Sequence, residues 1–292
     1  MTWILSLKRD TKHVPAETKT SRQSRSGSPT PGLSRGAFFR AKATQTVTVQ
    51  PPQMAMAELV KKLRQFAMFK HVSPTVMNMV AAGTQLRAFS RGEFLWQRGD
   101  HAKEVVLIDS GFVKASRRNQ NGASKTYGMF GPGDSMGLYA FWSGMRYPTD
   151  AVALNEGVIL IIIDAVVISR LAEQHPQLSK NLKGEVTRFS EAFINKIEII
   201  SADSIEQRLA VLLLQLVGRY AVDGRGEQVR LPVFLTLVQI SEIIDARFET
   251  VARILANWKR AGWLIIDAHG WHLNRLDELR ELLRGYSGNS PI

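Results

Sequence analysis

Glu249 and Arg253 stand four residues apart, and Ala256 and Arg260 continue the same face of any helix that carries them. In a major groove, that spacing would aim a carboxylate at cytosine N4 and a guanidinium fork at guanine O6 and N7. The same two residues could instead close an i,i+4 ion pair on a solvated helix, contributing ~0.3 kcal/mol, and taken alone they leave both readings open. Other chemistry is thinly represented. Histidines stand at 13, 71, 101, 175, 269 and 272 with no metal-ligand spacing beyond the last pair, and there is no nucleophile elbow or phosphate-cradling loop. The expectation is a protein that is not an enzyme and holds no metal or cofactor.

The elements that must position the pair are legible around it. Thr236 suits an N-cap, and Leu237, Ile240 and Ile244 then form one buried stripe. Asp245 and Ala246 make a turn too short to be a linker. A second helix follows with Val251, Ile254, Leu255 and Trp258 inward and the polar face outward. Residues Leu235 to Ala261 therefore read as a helix-turn-helix. Leu264 to Ile266 and Trp271 to Leu273 flank a turn at Asp267 to Gly270, a small hairpin or wing. Asp277 is placed to cap a last short helix. Trp258, Trp263 and Trp271 are expected in the core rather than stacked on bases.

The run Glu249-Thr250-Val251-Ala252-Arg253-Ile254-Leu255 resembles the DNA-reading segment of the CRP/FNR family, which comprises the cyclic-AMP receptor protein and the fumarate–nitrate reduction regulator. The resemblance implies that Glu249 and Arg253 read a TGA core in each half-site of double-stranded DNA. It places Thr236 and Thr250 at the DNA interface and implies that the wing, at His269, contacts phosphate. Two positions depart from the family. Phe248 stands where the cyclic-AMP branch has an arginine, and Ala252 where the other branch has a serine. Arg247 lacks the usual serine N-cap hydroxyl and is placed to reach phosphate.

Upstream, Leu86 to Ile163 breaks into short apolar runs punctuated by glycines, the pattern of many short antiparallel strands in a β-roll. The longest apolar run, Val158 to Ile163, is interrupted by Asp164 and falls far short of the roughly 18 residues of a membrane span, so it reads as a buried strand. Gly92-Glu93-Phe94-Leu95-Trp96-Gln97-Arg98-Gly99-Asp100 and Val105 to Lys114 resemble the opening hairpins of the family's cyclic-nucleotide-binding-like sensor domain. Cyclic-nucleotide binders of the family use a glutamate for the ribose and an arginine for the phosphate. Here those positions are Leu138 and Pro148, so cyclic-AMP dependence is not expected, with Arg146 near enough in sequence to substitute. The segment Gly131-Pro132-Gly133-Asp134-Ser135-Met136-Gly137 instead resembles the fumarate–nitrate reduction branch. That branch's cluster cysteines are absent, because the chain has no cysteine.

Two helices precede the roll, the second with Ser73 as N-cap, Pro74 at its first position and Gly83 at its end. After the roll, Asp164 can cap a helix to about Gln174, and a long helix should run from about Gln177 to Ser201. Within it Leu182, Val186, Phe189, Phe193, Ile197 and Ile200 step by three and four, close to a two-helix seam. In the family this helix is the dimer axis. Ser204 or Asp203 starts the next helix.

The net charge of +12 is unevenly spread, with +7 in residues 1–50 and balance in residues 203–292. Residues 1–53, rich in Ser, Thr, Pro and Gly, read as a disordered basic tail, either a DNA-attracting arm or a stretch ahead of a working start near Met54 or Met56. The fold expected is α+β: the tail, a β-roll sensor domain over 54–178 with flanking helices, a dimerisation helix over 179–202, and a winged helix-turn-helix domain over 203–292. The function expected is a cytoplasmic, homodimeric, sequence-specific transcription regulator. RNA polymerase is a further expected partner, the small-molecule effector is unassigned, and no membrane is involved. The alternative is a ligand-binding module acting through protein contacts, which would need Glu249 and Arg253 buried or paired.

Overall fold

The computed structural model describes residues 55–119, 124–225, 228–267 and 270–284. The chain divides into a unit of residues 1–46 and a unit of residues 47–292, and all described residues belong to the second. The tail expected over 1–53 lies outside the described residues.

Helix α1 (Met56–Leu63) is followed by a 3-10 turn (Ala67–Phe69) and helix α2 (Pro74–Ala82). The Ser73 hydroxyl accepts from the Val76 N–H, and Pro74 opens α2 where no N–H is needed. The roll is built from β1 (Thr84–Phe89), β2 (Phe94–Trp96), β3 (Glu104–Ser110), β4 (Val113–Arg118), β5 (Ser124–Phe130), β6 (Ser135–Met136), β7 (Asp150–Ala153) and β8 (Val158–Asp164), with a short helix α3 (Leu138–Trp142) between β6 and β7. The strands form two antiparallel sheets, ordered β1-β8-β3-β6 and β2-β7-β4-β5. The apolar run read as a buried strand is β8, which pairs on both sides and is buried on both faces. Leu160 and Ile162 point between the sheets, and Ile161 and Ile163 point outward beneath α1 and α2. That explains why β8 is continuously apolar instead of alternating.

Asp164 accepts from the N–H groups of Val166 and Val167, capping α4 (Ala165–Gln174). Helix α5 (Pro176–Ser201) follows, and after an extended Ala202 the Ser204–Gln207 capping box starts α6 (Ile205–Tyr220). The C-terminal domain adds β9 (Asp223–Arg225), β10 (Gln228–Leu231), α7 (Leu237–Ile244), α8 (Phe248–Arg260), β11 (Leu264–Asp267), β12 (Gly270–Leu273) and α9 (Leu276–Glu281). Its sheet runs β11-β12-β10-β9. Strand β10 stops at Leu231 because Pro232 has no N–H to continue a ladder. Gly270 takes φ +124°, and a Cβ there would overlap the Leu231 carbonyl oxygen, so only glycine lets β12 start flush against β10.

The cap expected at Asp277 stands two residues earlier. Arg275, not an aspartate, is the N-cap of α9. Asp277 lies inside the first turn, where Arg275 grips it at 3.0 Å and, by that hydrogen bond first, lowers its pKa.

Candidate nucleic-acid interface

Helix α7 begins at Thr236, whose hydroxyl accepts from the Gln239 N–H at 3.2 Å while the Gln239 side chain accepts from the Thr236 N–H at 2.8 Å. The capping box uses the acceptor side of the Thr236 hydroxyl and leaves its proton facing solvent, available to an anion. At its other end α7 stops at Asp245, which takes the left-handed conformation at φ 54° and turns the chain within two residues into α8. Aspartate tolerates that region better than a β-branched residue, which is why the turn can be so tight.

Val251, Ile254, Leu255 and Trp258 of α8 are buried against α6 and α7, with the Trp258 Nε1 donating to Glu206 at 2.8 Å. This anchoring turns the other face outward. Arg247, Phe248, Glu249 and Arg253 are exposed, while Thr250 and Ala252 are half-buried beside them. Among the described residues neither Glu249 nor Arg253 belongs to an ion pair, so the solvated i,i+4 pair is not formed and both heads are free. Arg247 is the N-cap and makes no side-chain cap, which leaves the first amides of α8 open at the same end. His269 lies outside the described residues. Trp258 and Trp271 are core residues and Trp263 is half-buried against Trp258, in line with a structural role.

The interior of the roll is nearly filled, with a cavity of only about 20 Å³ left beside Trp96, Met136, Tyr147 and Phe189. Trp96 stacks on Tyr147 with ring centroids 4.1 Å apart, and their polar atoms are spent on the Thr149 and Glu104 carbonyls at 3.1 Å each. Burial pushes the Tyr147 phenol up from its ordinary pKa. Tyr139 and Phe130 both stack on Phe189 of α5, closing the space from the helix side. Leu138 is 4% exposed and sits in the core under α1 and α2, at the start of α3, a helix that the sequence did not signal. Pro148 is exposed. Arg146, the residue that could have replaced the missing arginine, donates to the Gly99 carbonyl at 2.8 Å on the rim.

Two family models match separate stretches of the chain. Residues 86–175 match the cyclic nucleotide-binding domain family, and residues 207–282 match the Crp-like helix-turn-helix domain family. The chain is 24% identical over 205 residues to the CRP-like cAMP-activated global transcriptional regulator of Mycobacterium tuberculosis, covering 70% of this chain and 91% of that protein. It is 24% identical over 196 residues to the fumarate and nitrate reduction regulatory protein of Escherichia coli, covering 67% and 77%. The chain belongs to the CRP/FNR family. Its fold is shared with FixK2 from Bradyrhizobium japonicum, at a TM-score of 0.60, 20% identity and coverage of 68% and 96%. A CRP-family transcriptional regulator from Thermus thermophilus aligns at a TM-score of 0.57, 18% identity and coverage of 70% and 100%. This is a CRP/FNR-type transcription regulator with a helix-turn-helix DNA-binding domain, and not an enzyme. Among the described residues no helix is long and apolar enough to cross a membrane.

In this CRP/FNR regulator the long helix is divided between two uses, which corrects the seam read from spacing. Leu182 is fully buried with Leu178 among the residues of α1, α2 and α4, so its own protomer already covers it. Phe189 is half-buried against the roll. Val186, one turn earlier, is half-buried, and beyond Phe189 the apolar face opens: Phe193 is half-buried, and Ile197 and Ile200 are 58% and 38% exposed. Ile194, which spacing had not picked out, is 53% exposed on the same stretch. The reason is local. The first half of α5 is held by Asn181, which donates to the Met68 and Lys70 carbonyls at 3.0 and 2.7 Å, and by Glu185, which accepts from Ser135 at 2.6 Å.

A second feature escaped the sequence because its partners are distant in the chain. The DNA-binding domain is tied to the roll by Asp134, which accepts from Tyr220 and Arg219, by a Lys114–Glu242 ion pair, and by Gln239 donating to the Leu154 carbonyl at 3.0 Å. Lys196 of α5 donates to the Ile243 carbonyl, and desolvation by its neighbours lowers its pKa to about 8.

Proposed function

We propose that the protein is a cytoplasmic homodimer that reads inverted repeats whose half-sites contain a TGA-like core, and that it does so without cyclic AMP. The observation that carries the reading is the outward, unpaired placement of Glu249 and Arg253 one turn apart on α8, at a helix end left open by Arg247. The carboxylate accepts from cytosine N4 and the guanidinium donates twice to guanine. Thr236, Arg247 and His269 set the register on phosphate, while Phe248 presents an apolar edge to a thymine methyl beside Thr250 and Ala252. The exposed Ile194, Ile197 and Ile200 of α5, flanked by the half-buried Val186 and Phe193, support pairing with a second copy, giving two recognition helices about one helical turn of DNA apart. The nearly filled roll interior, with Leu138 in the core and Arg146 engaged elsewhere, supports independence from cyclic nucleotides. RNA polymerase is the partner such a regulator would engage once bound.

Selection from a random duplex pool tests the assignment. A TGA-containing inverted repeat should be enriched, and Glu249→Ala should relax one base pair by roughly 1–3 kcal/mol. Enrichment of no such repeat, or an unchanged motif for the variant, would refute it. The alternative, a module acting through protein contacts, required Glu249 and Arg253 to be buried or paired, and they are neither.

A further inference from the structure

We propose that the β4–β5 hairpin of the sensor roll is itself part of the DNA interface, with Arg117 and Lys125 seated on phosphates that flank the half-site. The inference rests on the DNA reading above and extends it from the helix-turn-helix to a second domain.

Position comes first. Lys114 and Lys125 of the hairpin both reach α7 or its C-cap. Lys114 is consumed by Glu242, and the Lys125 Nζ stands 3.3 Å from Asp245. Asp245 is the C-cap of α7, and α8 begins three residues later at Phe248. At ~3.8 Å per residue, and with the Asp245 side chain added, the Lys125 ammonium is therefore within about 18 Å of the end of α8 that enters the groove. A major groove is about 12 Å wide and edged by phosphates on both sides, so a long cationic side chain in that range can reach the backbone beside the helix.

Charge is the second observation. Arg117 and Lys125 are direct cross-strand partners, an arrangement of like charges that weakens a hairpin unless an anion lies over both. The Arg117 side chain is half-buried, and its Nε is buried without a hydrogen-bond partner among the described residues, so only its outer nitrogens are open to an anion. The Lys125–Asp245 pair is 53% exposed on both sides, and such a surface pair is weak enough to be exchanged for a phosphate. Arg118, in register with Ser124, projects from the opposite face of the hairpin and is not included.

The test is a salt titration of duplex binding by the full chain, using the half-sites obtained by selection. The variant Arg117→Gln/Lys125→Gln should lower the magnitude of the slope of log K against log salt by about 1.8 per protomer, at ~0.9 per phosphate contact. The selected motif should stay the same, and Arg118→Gln should leave the slope unchanged. Asp245→Asn, which keeps a residue tolerant of the left-handed turn, should tighten binding by releasing Lys125. An unchanged slope in the double variant overturns the proposal. So does a slope change of equal size in Arg118→Gln, which would make the effect one of net charge alone. Loss of transcription with an unchanged slope also overturns it and assigns the hairpin to a protein partner. If the unmodified chain shows no sequence-specific binding, the DNA reading itself has failed, which the double variant's slope cannot mimic.

Discussion

The Tyr220 hydroxyl donates to Asp134 at 2.7 Å across the boundary between the DNA-binding domain and the sensor roll. Arg219 reaches the other carboxylate oxygen at 2.5 Å, and the Gly131 N–H donates to the same carboxylate at 2.7 Å. One roll residue thus gathers three donors, two of them from the last turn of α6. Replacing the partners should have unequal costs. Tyr220→Phe removes a donor and leaves Asp134 served by two others, a loss of about 1 kcal/mol. Asp134→Ala strands a buried hydroxyl and should cost roughly 1–3 kcal/mol. Urea unfolding of the two variants checks the order, and equal midpoints would contradict it.

The same contact sets a pH dependence. Burial, followed by the Asp134 charge, pushes the Tyr220 phenol far above its ordinary pKa of 10.0. The folded chain therefore holds that proton more tightly than the unfolded chain. The resulting stability is fully present below pH 10 and is lost as pH rises beyond it. Tyr220→Phe should flatten this part of the stability profile relative to the unmodified protein.

Cyclic AMP and cyclic GMP should give flat isotherms in calorimetry. A desolvated phosphate needs a paired cation, and Arg146 is turned to the Gly99 carbonyl while the Trp96–Tyr147 stack occupies the interior. Saturable micromolar binding would show that the stack yields.

Pairing along α5 predicts that Ile197→Asp gives monomers in sedimentation without unfolding the protomer, because Ile197 is 58% exposed in a single chain. Leu182→Asp should behave differently and unfold the N-terminal helices, since it places a carboxylate at a fully buried position. An unmodified protein that sediments as a monomer at micromolar concentration would remove the pairing role from α5.

Lys196 offers a pH signature of opposite sign. Its folded pKa of about 8 lies below the ordinary 10.5, first because burial disfavours the charged form. That penalty is present below pH 8 and is relieved between pH 8 and 10.5, so this group makes stability rise over that window. Denaturation midpoints of the unmodified protein and Lys196→Met should therefore diverge across it, and parallel profiles would refute the assignment.

Features carried by a few neighbouring residues were legible in the sequence. The Ser73-Pro74 start, the Asp164 cap, the long helix and the Thr236 start of α7 all follow from local propensity and hydrogen bonding. The outward face of α8 was legible too, because a helix with one apolar stripe has only one way to bury it. What escaped depended on distant partners. Spacing alone cannot say that Leu182 is already covered by the N-terminal helices, or that Lys125 meets Asp245 from 120 residues away. Strand β9 was missed because it carries no apolar alternation, and α3 because five residues are too few to show a period.

The junction at Ala202 bears on how position is transmitted. This residue is 1% exposed, its carbonyl accepts from Arg208 at 3.2 Å, and the next helix is capped two residues later at Ser204. The join between α5 and the DNA-binding domain is thus a crank rather than a tether. A turn of α5 becomes a displacement of α8 with little slack to absorb it. Two chains paired along α5 would hold their recognition helices at a fixed separation, and a duplex with one base pair added between its half-sites would have to twist to fit them.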